Sequence, residues 1–120
     1  MTVRRMKTYT GGQGYVYQYY FVGKRAARPG KGDDPATEYI FDVTSDRKIT
    51  FAVSVMLSQP ALGRWSDRHG RNLTDAEQYA AVKMRLFQAF DELEDMRAHG
   101  RELRLDDATL ESVLGSLGIG

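Results

Sequence analysis

Apolar and polar positions alternate strictly in the middle of the chain, along residues 38–43 and again along 48–57. The two runs are separated by the short polar segment Ser45-Asp46-Arg47, which has the composition of a turn. Because successive side chains of a strand point to opposite faces of a sheet, a period of two indicates strands with one buried face. The pattern therefore predicts a β-hairpin.

A third strand is predicted before the hairpin, where residues 15–22 are rich in Tyr, Phe and Val and contain no Gly or Pro. The preceding residues, 1–14, end in a glycine-rich stretch and are interpreted as a mobile arm. The following residues, 23–36, hold three glycines and two of the three prolines. This length and composition indicate a long loop.

Helical spacing replaces the period of two in the second half of the chain. Thr74 and Glu77 form a capping-box pattern, which predicts a long helix over 75–98, and Gly100 lies just beyond its end. Five apolar residues recur at the spacing of a helix and form its inner stripe. They are Tyr79, Val82, Leu86, Phe90 and Leu93.

Two short helices flank the long one. Pro60 suits a first helical position and Gly70 suits a helix stop, so a helix over 60–69 is predicted to carry Trp65. Asp106 has the chemistry of an N-cap and predicts a last helix after it. The apolar face of that helix consists of Leu110, Val113, Leu114 and Leu117.

The predicted elements follow the order β-β-β-α-α-α. Sequential strands joined by turns favour an antiparallel meander, and the long helix is placed to cover one of its faces. We therefore expect a single α+β domain over residues 1–120, a two-layer sandwich of a three-stranded antiparallel β-meander covered by one long helix, plus two short helices. The expected core residues are Tyr39, Phe41, Val43, Phe51, Val53, Val55, Leu57, Tyr79, Val82, Leu86, Phe90 and Leu93, with Trp65 at one end.

Composition narrows the classes of function. The 120-residue chain has no cysteine, which excludes disulfides, thiolate metal sites and cysteine nucleophiles. No apolar run approaches the roughly 20 residues that span a bilayer, and the N-terminus lacks the apolar stretch of a secretion signal. We expect a soluble cytoplasmic protein that does not bind membranes.

Charge is distributed unevenly along the chain. The first 32 residues carry seven Lys or Arg and no acid, whereas the remaining residues carry ten Lys or Arg against sixteen Asp or Glu. The basic residues flank an aromatic strand, and cations beside aromatic rings are typical of single-stranded nucleic-acid binding. The hypothetical nucleic-acid site consists of Arg4, Arg5, Lys7, Tyr15, Tyr17, Tyr19, Lys24, Arg25, Arg28 and Lys31.

Other features weaken the nucleic-acid hypothesis. The sequence pI of about 8.0 is low for a dedicated binder, and no recognition-module signature is present. A sheet covered by one helix also leaves a second face open, which marks an interface for a second copy or another protein. That face is expected to carry either the tyrosine row or a set comprising Tyr20, Val22, Ile40, Ala52 and Met56.

The function predicted first is therefore a non-enzymatic binding or interaction module, homodimeric or with a protein partner, that uses no cofactor or metal. Single-stranded nucleic-acid binding by segment 4–31 is the first alternative. A metal-dependent nuclease centred on Asp42, Asp46 and Lys48 is the second, although turn chemistry alone explains acids at a hairpin tip. The histidines, His69 and His99, lie at predicted helix ends and are interpreted as capping residues.

Overall fold

The computed structural model describes residues 6–12, 14–28 and 34–120, and within them the chain forms one five-stranded mixed sheet with helices on one face. The strands are β1 (Lys7–Thr10), β2 (Val16–Ala27), β3 (Ala36–Thr44), β4 (Phe51–Ser58) and β5 (Glu102–Leu105). The helices are α1 (Gln59–His69), α2 (Asp75–Glu92), α3 (Met96–His99) and α4 (Asp107–Ser116).

The strands lie side by side in chain order, from β1 to β5. Neighbouring strands are antiparallel except for β4 and β5, which are parallel. A parallel pair needs a long crossover, and here the connection contains α1, α2 and α3. The register between β2 and β3 shifts between Phe21 and Gly23, which is a β-bulge.

The helices pack on the face formed by alternate residues of β2, β3 and β4. The ring of Tyr17 stacks on Phe90 of α2 with the centroids 4.5 Å apart, and Tyr9 of β1 stacks on Phe87 at 4.4 Å. Residues of α4 close the other end of this layer, since Leu110, Val113 and Leu114 are fully buried. The packing of these aromatic and aliphatic side chains is the hydrophobic core.

The α+β class, the central hairpin and the predicted core are confirmed. Each predicted strand residue of the core is buried, as are Trp65, Val82, Leu86 and Phe90, while Tyr79 and Leu93 are partly buried against it. The short helix α1 ends at His69 as predicted and begins at Gln59, one residue earlier than predicted, with Gly70 left-handed at φ 71°. The caps of α2 and α4 are confirmed as well: Thr74 and Glu77 form the capping box of α2, and Asp106 is the N-cap of α4.

The prediction of a three-stranded meander with three helices is wrong in detail, because the sheet has five strands and the described residues form four helices. The additional strands β1 and β5 are only four residues long, too short to show a period in the sequence. The first of them, β1, lies within residues 1–14, interpreted as a mobile arm, and pairs with β2. In addition, β2 continues to Ala27, into the segment expected to be a loop. Backbone pairing with β3 extends this strand despite its basic sequence.

The single helix predicted over 75–98 is also wrong, because α2 ends at Glu92 and α3 begins at Met96. Leu93 has an extended backbone, and the hydroxyl of Tyr17 donates hydrogen bonds to the carbonyls of Leu93 and Glu94, each at 3.0 Å. These tertiary hydrogen bonds satisfy carbonyls that a continuous helix would have used.

Two buried tyrosines provide a matched test of this packing. Tyr17 and Tyr39 are almost fully buried, but only Tyr17 has hydrogen-bond acceptors for its hydroxyl, and that of Tyr39 has none among the described residues. We expect Tyr17→Phe to lower the free energy of unfolding by about 1 kcal/mol, and Tyr39→Phe to leave it unchanged or raise it. Urea denaturation of both variants measures this difference. Equal losses would contradict the assigned roles of the two hydroxyls.

Candidate interaction surface

The face of the sheet opposite the helices is not covered by any helix or strand of the described residues. We call it the open face. Register places Tyr20, Asp42 and Ala52 in one row across β2, β3 and β4, and Ile40 and Ser54 in the next row. The open face consists of Gln18, Tyr20, Glu38, Ile40, Asp42, Ala52, Ser54 and Met56.

The apolar part of the open face is centred on Ile40. This residue lies on β3, the middle strand of the five, and is half-buried. Val22 lies in the adjacent bulge of β2 and is 48% exposed. A large apolar side chain that stays this exposed beside a half-buried isoleucine is typical of an apolar patch at an interface.

The polar part of the open face is a hydrogen-bonded group around Glu38. Arg25 Nε donates to Glu38 Oε1 at 2.6 Å, and Ser54 Oγ donates to Glu38 Oε2 at 2.6 Å. Only 7% of Glu38 is exposed. The hydrogen bonds from Ser54 and then from Arg25 hold the pKa of Glu38 below its ordinary value. Both carboxylate oxygens of this nearly buried acid are thus satisfied within the protein.

The sequence-predicted tyrosines lie on the other side of the sheet. Tyr17 and Tyr19 are buried against α2, and Tyr15 is half-buried and packed on the same core. Because the rings of Tyr17 and Tyr19 are buried, a ligand cannot stack on them. Two sets of residues were expected as alternatives for the open face. The open face carries the set that includes Tyr20 and Ile40, and the tyrosine row lies on the opposite face.

The sequence-predicted cations are divided between the two faces. Arg25 pairs with Glu38 on the open face, whereas Lys24 lies on the helix-covered face, with Nζ 5.7 Å from the ring centroid of Tyr39. Lys7 is also on the helix-covered face, paired with Tyr19. Arg28 is exposed just beyond the end of β2. The remaining three predicted cations, Arg4, Arg5 and Lys31, lie outside the described residues.

Sequence reasoning missed Lys83 of α2, which the fold brings near the predicted cation Lys7. Its Nζ lies 5.7 Å from the ring centroids of both Tyr79 and Phe87. The sequence could have indicated this contact, because residues four apart are neighbours on a helix and Lys83 lies four residues from each of these two aromatic residues.

The predicted nuclease residues do not come together as a metal centre. The Asp46 carboxylate accepts hydrogen bonds from the backbone amides of Lys48 and Ile49 and from the Thr44 hydroxyl. These bonds, that of Ile49 first, lower the pKa of Asp46 and fix the turn. No group of three potential metal-ligating His, Cys, Asp or Glu residues occurs in the described part of the chain.

The histidines lie at helix ends, as expected. His69 is the last residue of α1, stacks on Trp65 at 4.2 Å and has Nε2 2.9 Å from a carboxylate oxygen of Glu111 in α4. His99 is the last residue of α3. The contact between His69 and Glu111 joins two helices, which is a structural role.

Comparison with known proteins gives no relative: no protein-family model, no curated protein and no solved structure matches this chain. Among the described residues, no helix is both long enough and apolar enough to cross a membrane. The functional argument therefore depends on the geometry of this chain.

The hydrogen bonds of Glu38 can be tested through the dependence of stability on pH. Because its pKa is lowered in the folded protein, ionised Glu38 stabilises the fold above the pKa of the unfolded chain, and this contribution is lost as the pH falls through the folded-state pKa. We expect Ser54→Ala to raise the pKa of Glu38 and to lower the free energy of unfolding near neutral pH by about 1 kcal/mol. The difference from wild type should shrink as the pH falls through the pKa of Glu38.

Carbon-13 NMR titration of the Glu38 carboxyl and urea unfolding at several pH values measure these effects. Ser45→Ala is the matched control, since Ser45 is exposed in the turn between β3 and β4. An unchanged Glu38 pKa in Ser54→Ala, or an equal change in the control, would show that Ser54 does not hold this carboxylate.

Proposed function

We propose that the protein is a non-enzymatic interaction module that forms a homodimer through the open face of its sheet. The observation that carries this proposal is the contrast between the two faces. On the helix-covered face the central residues Phe41, Val53 and Val55 are fully buried, whereas Ile40 between them points to a face without a covering layer among the described residues. Sheets in stable domains pack against a second layer on their apolar faces.

The position of Ile40 on the sheet favours a second copy of the chain as the covering layer. In a twofold interface the same patch serves both partners, and residues near the axis meet their own copies. Ile40 lies in the middle strand and is the central apolar residue of the open face, so two isoleucines would meet at the axis. Two sheets packed in this way form a sandwich with their strands within about 30° of each other.

The size of the open face is compatible with a stable dimer. The five strands comprise 37 residues. At about 3.3 Å per residue and about 4.8 Å between strands, they give a flat area of roughly 600 Å². The accessible surface area of the side chains is larger than this flat area. It is therefore close to the approximately 800 Å² that each partner buries in a standard interface.

The charges on the open face also permit burial. An unpaired buried charge strongly opposes association, but Glu38 already has Arg25 and Ser54 as hydrogen-bond partners within its own chain. A second copy can therefore cover this group without supplying a counter-charge. The face thus combines an apolar centre with a nearly buried acid whose two carboxylate oxygens already have partners.

Charge insertion at the centre of the open face tests the dimer. We expect the wild-type protein to be dimeric at tens of micromolar and Ile40→Glu to be monomeric, because two glutamates would meet near the axis. Val22→Glu, at an exposed position beside it, should weaken the dimer by roughly tenfold or more without disturbing the core. Sedimentation velocity and light scattering over a concentration series measure the association.

Ile49→Glu is the matched control, because Ile49 is 45% exposed but lies in the connection between β3 and β4. It should remain dimeric. A wild-type protein that stays monomeric at the highest concentration, or a control as monomeric as Ile40→Glu, would overturn the proposal.

A further inference from the structure

A second surface lies on the helix-covered side, where Lys83 of α2 is surrounded by aromatic rings. Its Nζ lies 6.0 Å from the ring centroid of Tyr19, and 5.7 Å from those of Tyr79 and Phe87. Such distances are typical of cation–π contact. The residue is half-buried, as expected for a lysine whose aliphatic stem lies along apolar side chains.

A second ammonium group is close to the first. Lys7 of β1 is paired with Tyr19 across the strands. The pKa of Lys83 is lowered, first by the burial of Lys83 and then by the positive charge of Lys7. Neither lysine forms an ion pair with an acid among the described residues. Two neighbouring like charges repel each other, and an anion between them would remove that repulsion.

The surface around the lysines is concave. A cavity of about 170 Å³ is lined by Lys7, Tyr19, Tyr20, Phe21 and Tyr79. A shallow apolar groove of about 270 Å³, lined by residues that include Lys83, Met84 and Phe87, shares Tyr79 with this cavity. Lysine ammonium groups and half-buried aromatic rings therefore line adjoining depressions.

We propose that this surface, the Lys7–Lys83 cleft, binds a nucleotide unit of single-stranded nucleic acid, with the phosphate between the two ammonium groups and the base against Tyr79 or Phe87. Aromatic platforms beside a cationic groove are the chemistry by which single strands are held. Lys24 continues the cationic line along β2, over Tyr39. Lys7, Lys83 and Tyr79 lie on the opposite side of the sheet from Ile40, and of the residues that line the cavity Tyr20 also belongs to the open face. The two proposals are therefore tested by different substitutions.

Salt-dependent binding of a fluorescently labelled oligothymidylate, measured by anisotropy, tests the cleft. Each phosphate contact on a single strand contributes about 0.7 to the slope of log affinity against log salt. We expect Lys7→Gln and Lys83→Gln each to reduce the slope by about this amount and to weaken binding at low salt severalfold. Phe87→Leu should weaken binding by roughly tenfold through loss of stacking.

Lys48→Gln is the matched control, since it removes the same charge from an exposed lysine in the connection between β3 and β4. It should bind like wild type, and so should Ile40→Glu, which changes only the open face. Thermal unfolding verifies that each variant is folded.

Uridine monophosphate is tested in parallel to distinguish a free nucleotide from a strand. Tighter binding of the oligonucleotide, with the loss confined to the cleft variants, supports the proposal. If the mononucleotide bound as tightly as the oligonucleotide, the ligand of the cleft would be a free nucleotide and the proposed single strand would be wrong. No binding by wild type at low salt, or an equal loss in Lys48→Gln, would overturn it.

Discussion

The packing of α2 on the aromatic residues of β2 and β3 is the contact on which the rest of the structure depends. Phe90 stacks on Tyr17, and Tyr79 lies over Phe21 and Phe41 with centroids 5.0 Å and 6.4 Å away. Because side chains of a strand alternate between faces, fixing these rings under α2 places Tyr20 and Ile40 on the other side. One packing contact thus decides both candidate surfaces.

The sequence predicts the elements whose patterns are long and regular. The hairpin of β3 and β4, the N-terminal caps of α2 and α4 and the core face follow from periods of two and 3.6 residues. What it could not predict depends on tertiary contacts. The Tyr17 hydroxyl meets the chain where α2 ends, and β5 becomes a strand because β4 offers a free edge. Neither contact leaves a local signal in the sequence.

The basic front segment shows the same limit for a candidate site. Its charge is evident from composition, but composition does not assign a face to each cation. Arg25 is neutralised by Glu38, whereas the charge of Lys7 contributes to the lowered pKa of Lys83, which lies 76 positions later in the sequence and belongs to a helix. The relevant cluster is therefore formed by β1 and α2 together, and half of it lies outside the segment that the charge asymmetry identifies.

The bulge in β2 explains how adjacent cations reach different surfaces. Before it, even-numbered residues such as Tyr20 lie on the open face, and after it Arg25 pairs with Glu38 on that same face. If the regular register that pairs Phe21 with Phe41 simply continued, Lys24 would lie opposite Glu38 on the open face and Arg25 opposite Thr37 on the other face. Glu38 would then lose the guanidinium that it binds, and Lys24 would leave the ring of Tyr39. A single inserted residue in one strand thus separates a neutralised surface from a cationic one.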